Sequence, residues 1–399
     1  MSSLMRGFPT EESTRVTQDN WQEPANVQWS FRHMRELMGS HRIAAGPKAR
    51  SLPEGARADL SAVPVTRLTR GTQTVQDVID TTHTDALVVL HDGVLVAEQY
   101  AEGMSTDSVH LMMSCSKSVV GCVAGILAER GLLDPSAATT QYVPEIEGSG
   151  YGGTSVRDLL DMRTGVAFSE AYTDPDAQVR VMERSMGWRP LAAGDPVGAY
   201  AYLATLGRES DHGGAFTYRS ADTDMLGWVC ERAAGVRMAD LISELVWGPI
   251  GAERDAEITC DTIGTAVHDG GVSATARDMA RFGQMLLEDG VVDGATVVPP
   301  SWIHAAYDRP ADVRAAFAAS DNEPVLPGGW YRNQFWFVPA ENDVALVCLG
   351  IHGQMVFVHP ATRLVAVKQS SWPSAQDVDH LVDTLRAFRV LGTALAESS

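Results

Sequence analysis

The strongest constraint on the fold is where strand-like sequence falls: at both ends of the chain, with helix-like sequence between. Near the first end, Leu87–Leu90 and Val94–Ala97 flank Asp92-Gly93. Both turn residues tolerate positive φ, so Asp-Gly between β-branched runs predicts a two-residue hairpin over Asp85–Tyr100. Near the other end, Val344–Leu349, Met355–Val358 and Leu364–Val367 read as short strands, with Pro360–Arg363 turning between the last two. Ala375–Leu391 follows as an amphipathic helix. Strands need partners, so the two ends are expected to build one α/β unit around an inserted helical one. The boundaries read as 1–60 for an N-terminal extension packed on the body, 61–134 with 266–399 for the α/β unit, and 135–265 for the mostly helical insert.

Three helix starts are marked locally. Leu111–Gly131 carries Val119, Val120, Val123, Ile126 and Leu127 at helical spacing and ends on a glycine. Ser155-Val156-Arg157-Asp158 has the form of a capping box, and Thr275-Ala276-Arg277-Asp278 opens a further amphipathic stretch. An amphipathic helix around Trp21, Trp29 and Phe31 is expected to dock the extension.

Composition removes several function classes. The 51 acidic against 31 basic residues give a net charge of −20, which argues against nucleic acid and anionic membranes as partners. No apolar run reaches the ~18 residues of a membrane helix. The five cysteines are scattered without a CxxC pair, and the histidines show no ligand spacing, so neither a disulfide framework nor a metal is expected. Gly148–Gly153 fits a dinucleotide glycine pattern but lacks the strand before it and reads as a loop. No cofactor is expected. The first 15 residues hold no apolar signal core, so a cytoplasmic location is the expectation.

Only three of the 31 bases are lysine: Lys48, Lys117 and Lys368. Arginine cannot give up its proton in a protein, whereas a buried lysine can. Lys117 stands three residues after Ser114, a spacing that puts both side chains on one helix face. Ser114 would sit at the helix start, where free N–H groups favour developing negative charge. A serine hydroxyl needs a base to become a nucleophile, and an uncharged amine among Met112, Met113, Val119 and Val120 could serve. The bare Ser-x-x-Lys pattern suits a capping serine and a snorkelling lysine as well.

Together with the segments Ser155–Val166, Ala171–Pro175, Gly187-Trp188-Arg189, Phe216-Thr217-Tyr218, Gly270–Ser273 and Gly350–Gln354, the pattern resembles the serine β-lactamase and penicillin-binding superfamily. The resemblance is to its class C branch, and within that to the 6-aminohexanoate-dimer hydrolases and related carboxylesterases. It implies an antiparallel sheet flanked by helices, with an inserted mostly helical domain. It also implies a serine hydrolase working through an acyl-enzyme, with Ser114 as nucleophile, Lys117 as base and Tyr218 as proton shuttle. The oxyanion would lie between the backbone N–H groups of Ser114 and Ile351. Tyr172, Glu183, Trp188, Asp269, Trp336 and His352 match substrate-pocket positions. Tyr172 would reach the scissile amide nitrogen, and Glu183 would face the far amino end of the substrate.

The chain departs from the superfamily at two places. Tyr218-Arg219-Ser220 replaces Tyr-x-Asn, and Gly350-Ile351-His352-Gly353 stands where Lys-Thr-Gly is usual. Without that lysine to hold a substrate carboxylate, weak β-lactamase and peptidase activity is expected. The substrate expected is a small ester of a short acid or a linear amide such as the 6-aminohexanoate dimer, with a homodimer left open. The competing readings are a catalytically silent acyl-binding or scaffold protein on this fold, and a weak β-lactamase or DD-peptidase.

Overall fold

The computed structural model describes residues 4–340 and 343–398. Its centre is a seven-stranded antiparallel sheet. From one edge to the other the strands are Trp330–Arg332, Phe335–Ala340, Asp343–Gly350, Gln354–His359, Leu364–Ser370, Thr84–His91 and Val94–Tyr100. The two ends of the chain meet inside it, where Val367 lies opposite Val88. The Asp-Gly turn has the expected left-handed geometry, with φ of 49° at Asp92 and 74° at Gly93.

Strand residues alternate between two cores, as a period of two requires. Val88, Leu90, Val356, Val358, Val365 and Val367 enter one; Leu87, Val89, Met355, Phe357, Leu364 and Ala366 enter the other. The first face is covered by helices Cys115–Glu129 and Ala276–Leu287, the second by helix Val378–Ser398 through Leu385, Phe388 and Leu391. Each such side chain contributes roughly 1.5–3 kcal/mol on burial, so two covered faces hold the sheet firmly. This is the antiparallel sheet flanked by helices that the resemblance implies. Among the described residues, no helix is long and apolar enough to cross a membrane.

Both capping predictions hold: Ser155 accepts from the Asp158 backbone, and Thr275 from that of Asp278. Four local expectations do not. Leu111 belongs to a short strand with His110, and the helix begins only at Cys115. The closing helix starts at Val378 rather than Ala375; Asp377 caps it by accepting from the His380 N–H at 2.8 Å. Around Trp21 there is no long amphipathic helix, only the single turns Val27–Ser30 and Met34–Leu37. Trp21 and Phe31 are nonetheless fully buried, so core contact rather than helical period anchors this stretch. Finally, Ala256–Thr259, read as part of the helical insert, is a strand. It pairs with Ser40–Ile43 and Val272–Ala274 in a second sheet that ends on His110–Leu111.

Candidate active site

Helix Cys115–Glu129 runs buried beneath the site. Its glycines permit close packing: a Cβ on Gly121 would stand 2.6 Å from the carbonyl oxygen of Asn333. Met113, just before the helix, has a φ of 46°. A left-handed non-glycine residue is costly, by roughly 1–2 kcal/mol, and such strain concentrates at functional sites. The kink presents Ser114 at the helix start, where the following N–H groups, of Cys115 and Ser116, donate to the Met112 and Met113 carbonyls. Gly350 fits tightly against this turn, since a Cβ there would lie 2.5 Å from the Met112 carbonyl oxygen.

Lys117 is 1% exposed. Its Nζ donates to Ser114 Oγ at 2.9 Å, Ser220 Oγ at 3.0 Å and the Asp269 carbonyl at 2.8 Å, and lies 3.4 Å from Asp269 Oδ2. The same Nζ sits 5.2 Å from the centroid of the Tyr218 ring. Tyr218, distant in sequence, thus joins the near neighbours Ser114 and Lys117 in one cluster. Trp336 is buried, with its ring stacked 5.1 Å from that of Tyr218; it holds the phenol in place.

The charge state of Lys117 differs from the expected uncharged amine. Burial works against the ammonium, but the carboxylates of Asp269, Glu170 and Asp224, and Tyr218 once ionised, favour it, and the net direction is upward. The resting lysine is therefore an ammonium. Burial pushes Tyr218 up to about 12, against the opposing pull of Lys117, so the phenol keeps its proton at neutral pH.

Other pocket positions lie as follows. Asp269, nearly buried, serves Lys117 through its carbonyl and carboxylate. Trp188 is buried, donating from Nε1 to Thr259 Oγ1 at 3.1 Å and meeting Trp21 edge to face at 5.3 Å. His352 is buried; its Nδ1 pairs with the Trp372 carbonyl at 2.7 Å, and burial holds the ring below its ordinary pKa, so it is neutral. The Tyr172 phenol donates to Glu170 Oε2 at 3.1 Å. Glu183 is only 4% exposed and already ion-paired with Arg180 and Arg189. Its carboxylate is therefore buried and already paired.

Three further residues belong to the cluster. Ser220 binds Lys117 and, through its backbone N–H, Glu170 Oε1. It occupies the third position of the Tyr-x-Asn box, so its place was visible in sequence although its identity departs. Burial biases the Glu170 carboxyl upward, opposed by Lys117. Asp224, one helical turn beyond Ser220, is fully buried and accepts from the backbone of His268 and Asp269. Glu170 and Asp224 carry no local pattern that marks them. Cys115, beside the nucleophile, is a packed thiol whose pKa burial pushes up.

Comparison with known proteins agrees with this architecture. A family description named Beta-lactamase matches residues 72–388. The 6-aminohexanoate-dimer hydrolase of Paenarthrobacter ureafaciens is 38% identical over 366 residues, covering 92% of this chain and 91% of that protein. A Bacillus anthracis protein, provisionally named a 6-aminohexanoate-dimer hydrolase, superposes with a TM-score of 0.86 at 26% identity, covering 97% of this chain and 98% of its own. A family VIII carboxylesterase shares the fold with a TM-score of 0.59 at 16% identity, over 84% of this chain and 99% of its own. With a family match across most of its length and a relative this similar almost end to end, the chain belongs to the beta-lactamase family.

Proposed function

We propose that this serine hydrolase cleaves carboxylic esters of short acids through an acyl-enzyme formed on Ser114. The observation that carries the reading is the 2.9 Å bond from a buried lysine amine to the Ser114 hydroxyl at a strained helix start. Ser114 Oγ bonds to the ester carbonyl carbon, and the carbon–oxygen bond to the alcohol breaks. The proton lost by Ser114 passes through the Lys117–Tyr218 pair to the leaving oxygen. Backbone N–H groups of Ser114 and Ile351 take the charge on the carbonyl oxygen. Water then attacks the acyl-enzyme, releasing the acid and restoring Ser114.

Lys117 rests as an ammonium, so its base form is a minor one. Burial is the largest influence on it and opposes the charge. Substrate that displaces water deepens that opposition and enlarges the neutral fraction.

Hydrolysis of linear amides is a second reading, favoured by the 38% identity to a 6-aminohexanoate-dimer hydrolase. Tyr172 is the residue it would use at the amide nitrogen. In its resting place the phenol is engaged with Glu170, so amide cleavage requires that bond to be exchanged.

A fluorophosphonate probe should label Ser114, located by peptide mass, and Ser114→Ala should abolish both labelling and p-nitrophenyl butyrate turnover. Unchanged turnover in that variant would refute the assignment and leave a silent acyl-binding protein as the better reading.

A further inference from the structure

The turn Ile351–Gly353 follows strand Asp343–Gly350. In the acyl-enzyme reading the N–H of Ile351 takes part of the oxyanion charge, so its direction matters. On one side of Ile351, Gly350 pairs with Gln354 across the strand end and fits against the Met112 carbonyl. On the other side stands His352, with φ of 58° and ψ of 18°. Left-handed backbone is costly outside glycine and persists only where its surroundings hold it.

The loop between the last strand and the closing helix does the holding. The His352 N–H donates to the Ala375 carbonyl at 2.9 Å, and the His352 carbonyl accepts from the Trp372 N–H at 3.1 Å. The imidazole adds a third bond, from Nδ1 to the Trp372 carbonyl at 2.7 Å. A carbonyl only accepts and the ring is neutral, so Nδ1 carries the single ring proton and Nε2 a lone pair. Trp372 is itself fixed. Its Nε1 donates to the Thr82 carbonyl at 2.9 Å, and its ring closes on Gly353, where a Cβ would stand 2.2 Å away. Phe31 meets the imidazole edge to face at 5.3 Å. Buried Gln354 completes the arrangement: its Nε2 donates to the carbonyls of Ser370 at 2.6 Å and His352 at 3.2 Å, and its Oε1 accepts from the Ser370 N–H at 3.1 Å.

We infer that His352 is a positioning residue: its Nδ1–H locks the turn that aims the Ile351 N–H at the oxyanion. The inference rests on the acyl-enzyme reading above and adds a residue to it. His352 also borders a cavity of about 550 Å³ with Glu170, Tyr172 and Ile351, so direct contact with substrate through Nε2 is the competing role. An oxyanion donor acts chiefly in the transition state, so loosening the turn should lower kcat and leave KM little changed.

Two substitutions separate the roles. Asparagine and glycine both accept left-handed backbone. The amide nitrogen of asparagine occupies the place of histidine Nδ1, so His352→Asn keeps the tether and loses Nε2, whereas His352→Gly loses both. With p-nitrophenyl butyrate, His352→Gly should lower kcat by roughly tenfold to a hundredfold, less than the roughly 10²–10³ of losing an oxyanion donor outright. His352→Asn should recover most of that loss. Fluorophosphonate labelling of Ser114 should slow in parallel with kcat, because the phosphoryl oxygen enters the same oxyanion site. Equal kcat losses in the two variants, or a change confined to KM, would overturn the inference. If His352→Gly fails to fold, His352→Asn decides alone: kcat near that of the wild type supports the tether, and a large fall in kcat or rise in KM overturns it. Absence of turnover and of Ser114 labelling in the wild type would refute the hydrolase reading and this inference with it. An active wild type with the variants in the wrong order refutes the inference alone.

Discussion

Tyr218→Phe removes one hydroxyl and little else. The ring keeps its stack on Trp336 at 5.1 Å, its edge against Tyr331 at 6.0 Å, and Lys117 Nζ at 5.2 Å from its centroid. No cavity of any size opens, so the stability change should be that of one neutral hydrogen bond, about 1 kcal/mol or less. The kinetic change should be far larger. A positioned proton donor is worth roughly 10²–10⁴-fold, or about 3–5 kcal/mol in the barrier. The phenol stands at about 12, so at neutral pH it holds the proton a leaving alkoxide needs. The loss should therefore depend on the leaving group. An ethyl ester, whose alkoxide requires that proton, should lose the full factor. A p-nitrophenyl ester of the same acid, whose phenolate leaves unaided, should lose clearly less. Measuring kcat/KM for both esters, with thermal unfolding as the control, checks the argument. Equal losses for the two esters, or a loss under about tenfold for the ethyl ester with an unchanged melting temperature, would refute the shuttle role of Tyr218.

Lys117→Arg retains the charge but cannot act as a base, and should reduce kcat/KM by about a hundredfold or more; a mild effect would reduce Lys117 to an electrostatic role. Because the Lys117 pKa is shifted upward, its base form grows about tenfold per pH unit below that value, so kcat/KM in the wild type should climb through neutral pH; a flat profile between pH 6 and 8 would contradict this. Lys368 is fully buried, and burial lowers it from 10.5 to about 7. Between these values the unfolded chain holds a proton that the folded one does not, so folding stability from this group rises with pH and is lost as pH falls toward 7. The slope is about 1.4 kcal/mol per unit, about 4–5 kcal/mol in all. Urea unfolding of Lys368→Met at pH 7, 8 and 9 should lack this slope, and a wild-type–variant difference constant with pH would exclude it. Nitrocefin turnover should be weak for want of the Lys-Thr-Gly lysine; a specificity constant like that of a dedicated lactamase would overturn that expectation.

How far the chain could be read depended on the range of each signal. The Asp92-Gly93 hairpin and the capped helices at Ser155 and Thr275 rest on contacts a few residues apart, and they stand as read. The Trp330–Ala340 hairpin was missed because its turn puts Asn333 and Gln334 at φ of 52° and 69°. Glutamine seldom takes that conformation, so the pair carries no turn signature. The strand Ala256–Thr259 carries only four residues and is buried at all of them, so it shows no alternation to mark it, and one of its two partners, Ser40–Ile43, is more than 200 residues away.

The site divides the same way. Ser114 and Lys117 touch because three residues of helix separate them, which the primary structure alone determines. What Lys117 does with its proton is decided by Glu170, Asp224 and Asp269, delivered by three other segments of the fold. Lysine scarcity drew attention to amines able to lose a proton, and the lysine burial favours in that state is Lys368, in the sheet, whereas the one at the site is held charged. Glu183 follows the same rule: its position was legible, but its pairing with Arg180, Arg189 and Gln22 was not. Period and spacing encode which side chains share a face. Charge depends on desolvation and on every ionised neighbour within a few ångströms, and only the folded chain sets those distances.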